Sequence, residues 1–128
     1  MATRTIKGTL DTFQVSAGSE ITYLGNTTAS NTGGANIRGF RVNPTSTGDI
    51  IVKIVASSGI NTIEIFQEDA YSAGSAPTGY KKFSNIGKDG KNKGAVAVTV
   101  TNAAKNYVVL MTIDGYSEVS YTGSVEVP

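Results

Sequence analysis

The chain is predicted to be all-β, a single jelly-roll-like β-sandwich of about eight to ten antiparallel strands, and three observations carry that reading. Apolar residues recur with a period of two almost throughout, with no segment showing the 3.6-residue repeat of a helix. β-branched and aromatic residues fill the alternating runs, as strand propensity requires. Gly, Asn, Ser and Asp punctuate those runs roughly every 8–12 residues, which is the turn spacing of a sandwich or barrel.

Taken in order, "TRTIKGTL" (3–10) reads as a polar strand at a sheet edge, and residues 1–10 could equally extend as an arm. "TFQVSAG" (12–18) sets Phe13 and Val15 on one face and turns at Ala17-Gly18, and "EITYL" (20–24) follows. Residues 25–36 are a Gly/Asn/Thr loop. "RGFRV" (38–42) alternates, and "DIIVKIV" (49–55) carries Ile50, Val52 and Ile54 on one face. "NTIEIFQE" (61–68) sets Ile63 and Ile65 against Glu64 and Phe66. "GYKKF" (79–83) is short, and "AVAVTVT" (95–101) alternates Val96, Val98 and Val100. "NYVVLMTID" (106–114) is apolar on both faces, so it is expected to be a central strand covered on both sides. "VSYTGSVEV" (119–127) closes the chain. No composition shift marks a boundary, and 128 residues suit one domain, 1–128.

Composition excludes much chemistry. The sequence holds no cysteine and no histidine, which removes disulfides, thiolate catalysis, the usual general base and the commonest transition-metal ligand. Charged residues make up 16% and the net charge is +1, so no global field draws in nucleic acid or an anionic membrane. The apolar runs near "IIVKIV" and "YVVLM" fall far short of the ~20 residues a membrane helix needs. "MATRTIKGTLDTF" has no apolar signal core, so the expectation is a chain made in the cytoplasm, with its native start, for assembly.

The most site-like stretch is "NIGKDGKNKG" (85–94), with Lys88, Lys91 and Lys93 among Gly87, Gly90 and Gly94. A phosphate-binding P-loop needs Ser or Thr after its Gly-Lys and a helix beyond, whereas Gly90-Lys91 precedes Asn92 and a strand. A calcium loop needs several carboxylates, and Asp89 stands alone among cations. Lys81, Lys82, Lys88, Lys91 and Lys93 are five of the eleven positive charges, but Tyr80 and Phe83 fall on opposite faces of one strand, which disfavours a nucleic-acid platform. The expectation is a solvated hairpin tip with Asp89-Gly90 at its turn. An anionic partner is the sharper alternative.

Glu64, Glu68 and Asp69 are the one local carboxylate cluster. Four residues along a strand span about 13 Å. That separation is too wide for the roughly 5–9.5 Å of glycosidase pairs. The expectation for these acids is a solvated face and turn, with Glu68 and Asp69 as weak calcium candidates; otherwise no metal or cofactor is expected. "DAYSAGSAPTGY" (69–80) sets Tyr71 and Tyr80 at the ends of a Ser/Gly/Ala loop, either as partner contacts or as a cover for the core.

"DTFQVSAGSEITYL", "GDIIVKIVASSGINTIEIFQED" and "NYVVLMTIDGYSEVSYTGSVEV" together resemble the bacterial pre-peptidase C-terminal (PPC) β-sandwich family over about half the chain. The family's aspartate pair before the middle strand is replaced by Asn61-Thr62, which removes the basis for a family-type calcium site. The resemblance implies a carbohydrate-binding or targeting module, with Tyr71, Tyr80 or Tyr116 as a platform. Composition favours another expectation: a non-enzymatic structural protein, most plausibly a decoration (cement) subunit of a phage virion or similar assembly. Its contacts with other protein subunits, or with copies of itself, would fall on Arg4, Lys7, Tyr71, Tyr80, Lys88, Lys91 and Lys93.

Overall fold

The structure, a computed structural model, describes residues 2–9, 12–26, 36–56, 60–68, 81–86, 93–101, 103–113 and 120–128. Ten strands form in chain order: β1 (Ala2–Gly8), β2 (Phe13–Val15), β3 (Ile21–Asn26), β4 (Asn36–Val42), β5 (Gly48–Ala56), β6 (Ile60–Gln67), β7 (Lys81–Ile86), β8 (Lys93–Val100), β9 (Tyr107–Ile113) and β10 (Tyr121–Val127). They divide into two five-stranded antiparallel sheets, A in the order β2-β1-β10-β5-β8 and B in the order β3-β4-β9-β6-β7. No α-helix occurs among the described residues. None of their helices, therefore, is long and apolar enough to cross a membrane.

Alternation in the sequence becomes two-sidedness in the sheets. From sheet A, Ile6, Ile50, Val52, Ile54, Val98, Val100 and Val125 point inward. They meet Phe40, Val42, Ile63, Ile65, Val109 and Met111 of sheet B in one core. Phe13 ties the two sheets together at one side: its ring stacks on Tyr23 of β3 at 4.8 Å and 10°, and on Phe40 of β4 at 5.7 Å and 25°. Such offset stacks add to what area burial contributes.

Strand β9 is central in sheet B, and both its faces are buried. Tyr107, Val109 and Met111 enter the main core. Val108 and Leu110 pack on the outer side with Phe66 and Leu24. Apolarity on both faces thus marked this strand correctly. The same covered outer side corrects the solvated face expected for Glu64, which is fully buried. In register it stands between Leu110 of β9 and Lys82 of β7, an apolar residue on one side and a cationic one on the other.

Two further expectations meet the topology. The lysine-rich stretch was read as the tip of a hairpin, but β7 pairs with β6 in sheet B while β8 pairs with β5 in sheet A. The segment 87–92 therefore connects two sheets and not two paired strands. Its turn-forming composition is equally suited to either connection. Strand β1 is hydrogen-bonded to β10 over seven register pairs, from Ala2 opposite Val127 to Gly8 opposite Tyr121. β2 pairs with its other side from Ile6 to Gly8, and among the described residues no strand pairs with Ala2 to Arg4 along that edge.

Tyr121 marks an imperfection in the core. Only 2% exposed, it carries a hydroxyl with no hydrogen-bond partner among the described residues. Gly8, its register partner, leaves room for that hydroxyl, since a Cβ there would come within 2.9 Å of it. Burial pushes the phenol's pKa well above its ordinary value; nearby Tyr23 adds to the effect and Arg38 opposes it. A buried unsatisfied hydroxyl costs about 1–3 kcal/mol. Tyr121→Phe is therefore expected to raise stability by about 1 kcal/mol in thermal or urea melts. The sign with pH follows from the raised folded pKa: this group's contribution is intact below the unfolded value of about 10 and is lost as pH climbs above it. Wild type should lose stability above about pH 10 more steeply than Tyr121→Phe, read as melting temperature against pH.

Candidate functional site

Where β1 turns into β2, the outer face of sheet A carries a groove. Antiparallel register sets Lys7 directly opposite Gln14 on one side and Thr122 on the other. All three alternate outward from strands whose Ile6, Val15 and Tyr121 face the core, and all three are exposed. Beyond them the turn is closed by Thr9, whose amide donates to the Thr12 carbonyl at 3.1 Å and to Thr12 Oγ1 at 3.2 Å. The two threonine hydroxyls also lie 3.0 Å apart.

Two shallow depressions result. One, of about 300 Å³, is lined by Lys7, Gly8, Thr9, Thr12, Gln14, Ser120, Tyr121 and Thr122. The other, of about 270 Å³, is lined by Thr5, Lys7, Gln14, Val15 and Ser16. Lys7 and Gln14 are common to both, so the two run together along β1 and β2. Among the described residues the lining holds hydroxyls, one amide, one ammonium and no carboxylate. Ser16 is held in place by two contacts to Thr5: its Oγ accepts the Thr5 amide and its own amide donates to the Thr5 carbonyl, each at 2.8 Å. Such a surface can donate and accept hydrogen bonds with a neutral polar ligand, but it has no group suited to acid–base exchange near neutral pH.

Two carboxylates, Glu20 and Glu68, are held by arginines. Glu20 receives two hydrogen bonds from Arg4, from Nε at 2.9 Å and Nη2 at 2.8 Å. Gly18 makes this possible. Its φ of 142° suits glycine. Any Cβ there would run into the Arg4 guanidinium and the Glu20 carboxylate. Near the same end of the β3–β4 pair, Arg41 binds Glu68 through Nε and Nη2, both at 2.8 Å. That pair lies in a cleft of about 440 Å³ with Ala104, Lys105 and Asn106. Bidentate pairs of this kind fix geometry strongly.

Of the residues singled out in the sequence, Lys7 stands at the middle of the groove. Arg4 lies on the inward-alternating side of the same strand and is committed to Glu20. Lys93 opens β8, opposite Val55 of β5, across sheet A from the groove. Glu68 is bound to Arg41, and among the described residues no group of three or more acidic side chains could hold a metal ion. Tyr71, Tyr80, Lys88, Lys91 and Asp69 lie outside the described residues, as does Tyr116. Gln14, Thr9, Thr12 and Thr122 were not singled out. They meet Lys7 only through the pairing of the first strand with the second and the last, and the one local signal was the polar outward alternation of 3–10.

No family model and no curated protein matches the sequence. Among solved structures, CBM35 from Paenibacillus barcinonensis is similar at 16% identity, over 86% of this chain and 91% of that one, with a TM-score of 0.38. A carbohydrate-binding module CBM36, solved in complex with calcium and xylotriose, is similar at 14% identity, over 95% of this chain and 98% of that one, with a TM-score of 0.35. At such identities and superposition the likeness carries no conclusion about ligand.

The Glu20 carboxyl is held below the usual carboxylate range, chiefly by the hydrogen bond from Arg4. A depressed folded pKa contributes stability above the unfolded value of about 4.3, and that contribution is lost as pH falls through the lower folded value. Glu20→Gln should therefore flatten part of the fall in melting temperature between about pH 4.5 and pH 2. The change is expected to be small because the pair is partly exposed and screened by solvent.

Proposed function

We propose that this chain is a non-catalytic recognition module that binds polysaccharide along the groove of sheet A. The observation that carries the reading is the groove's lining: Lys7, Gln14, Thr9, Thr12 and Thr122 gather on one face, with no carboxylate among the described residues that line it. A polyhydroxylated neutral chain presents alternating donors and acceptors, and hydroxyl and amide side chains match both roles. The absence of histidine and cysteine from the sequence, and the engagement of Glu20 and Glu68 by arginines, agree with a role in binding rather than turnover. The resemblance of the strand pattern to PPC domains points the same way.

A second reading, an accessory subunit of a virion or similar assembly, is favoured by a different observation. Strand β8 leaves one edge of sheet A open among the described residues, where a neighbouring chain's backbone can pair. Stoichiometric peptides of this chain in sedimented particles would support that reading, and their absence from particles would remove it.

The polysaccharide reading is tested by affinity electrophoresis of the full chain through gels containing xylan, a mixed-linkage glucan or a uronic-acid polymer. Retardation by at least one polymer is expected. Lys7→Ala and Gln14→Ala should each weaken it about five- to tenfold, the loss of one or two hydrogen bonds of about 1 kcal/mol each. Because both side chains are exposed, their removal should leave the melting temperature nearly unchanged. Migration unaffected by every polymer sinks the proposal.

A further inference from the structure

Four strands lie at the edges of the two sheets, and three carry devices that discourage pairing with another chain. β2 is only three residues long. β3 has a register irregularity between Tyr23 and Gly25, where Gly25 takes a φ of 71°. β7 begins with Lys81 and Lys82. Short length, a bulge and edge lysines are each recognised ways of blunting an edge.

β8 is neither short nor bulged, and its one lysine, Lys93, stands at its first residue. It runs eight residues, Lys93–Val100, in unbroken register with β5 from Val55 opposite Lys93 to Gly48 opposite Val100. After Lys93 its sequence, "GAVAVTV", holds no charge and no proline. Among the described residues, nothing pairs with its other side.

We propose that two copies of this chain associate edge to edge through β8, joining their A sheets into one continuous antiparallel sheet. The strand's own sequence argues for a second copy as the occupant. A two-fold axis pairs residues whose numbers have a constant sum, and facing residues in an antiparallel pair share a sheet face. Val98 and Val100 are the core-facing positions, so the sum must be even to keep core positions on the core side.

Centred on Ala97, this register sets Val96 opposite Val98, Ala95 opposite Thr99 and Gly94 opposite Val100. Lys93, the strand's one charge, then falls opposite Thr101, so no like charges meet. The groove lies by β1 and β2 at the other edge of sheet A, so this association stands independently of polysaccharide binding.

The test is sedimentation equilibrium of the full chain over a wide concentration range, alongside hydrogen exchange at low and high concentration. The expected result is a monomer–dimer equilibrium in which β8 amides exchange more slowly as concentration rises. Ala97→Lys places two lysines face to face at the axis and should weaken association about fivefold or more. Should that variant fail to fold, the wild-type exchange pattern decides alone. A strict monomer at millimolar concentration overturns the proposal. So does a dimer whose β8 amides exchange at a concentration-independent rate, which would place the contact elsewhere.

Discussion

Sheet A exists because the two ends of the described chain pair with each other. β10 is the last strand in chain order, yet it lies at the sheet's centre, between β1 and β5. Without it, the β1–β2 pair would be cut off from the rest of the sheet, and β5 would keep only β8. Gly123 marks how close that insertion is, because a Cβ at this position would strike the Lys53 carbonyl on β5. The pairing closes a loop of more than a hundred residues, which is entropically unfavourable and is compensated only once both sheets pack. The core is therefore the condition for the sheet, and the sheet is the condition for the groove.

The same constraint explains where polar chemistry is permitted. Ile6, Tyr121 and Val125 must face sheet B, and strict alternation then forces Lys7, Thr122 and Ser124 outward onto sheet A's other face. The groove is the outward complement of a core pattern. Sheet B does not offer the same freedom, since Phe66, Val108 and Leu110 cluster on its outer side and Glu64 is buried among that sheet's strands. Sheet A thus exposes polar residues on its outer side, while part of sheet B's outer side is covered.

Strand positions were legible in the sequence because alternation is local: Ile50, Val52 and Ile54 announce a one-faced strand without reference to any partner, and "YVVLMTI" announces burial on both faces. Pairing was not legible. "KDGKNKG" has turn residues that suit a hairpin, and only the placement of β7 with β6 and of β8 with β5 shows that it links two sheets. Glu64 looked solvated because alternation assigns a residue to a face but does not say whether that face is covered. The groove was half legible. Lys7 was singled out for its charge on a polar strand, whereas Gln14 and Thr122 acquire meaning only from being opposite it. Arg4 was grouped with Lys7, yet parity alone separates them, since residues 4 and 7 fall on opposite faces of β1.

What the carboxylates do bears on what the molecule can do. Glu20 and Glu68 are each held by two hydrogen bonds from an arginine, which occupy the carboxylate oxygens, and Arg4 holds the Glu20 carboxyl below its usual range. A general acid needs the opposite environment, one that raises the pKa and leaves the proton reachable. With Arg4 spent on Glu20 and Arg41 on Glu68, the groove is left with hydroxyls, an amide and a single ammonium, each worth about 1 kcal/mol or less to a ligand that must also be desolvated. Such a surface gains useful affinity by engaging many such groups along a repeating partner. A polymer that presents the same hydroxyls again and again supplies that repetition, and a single small molecule does not.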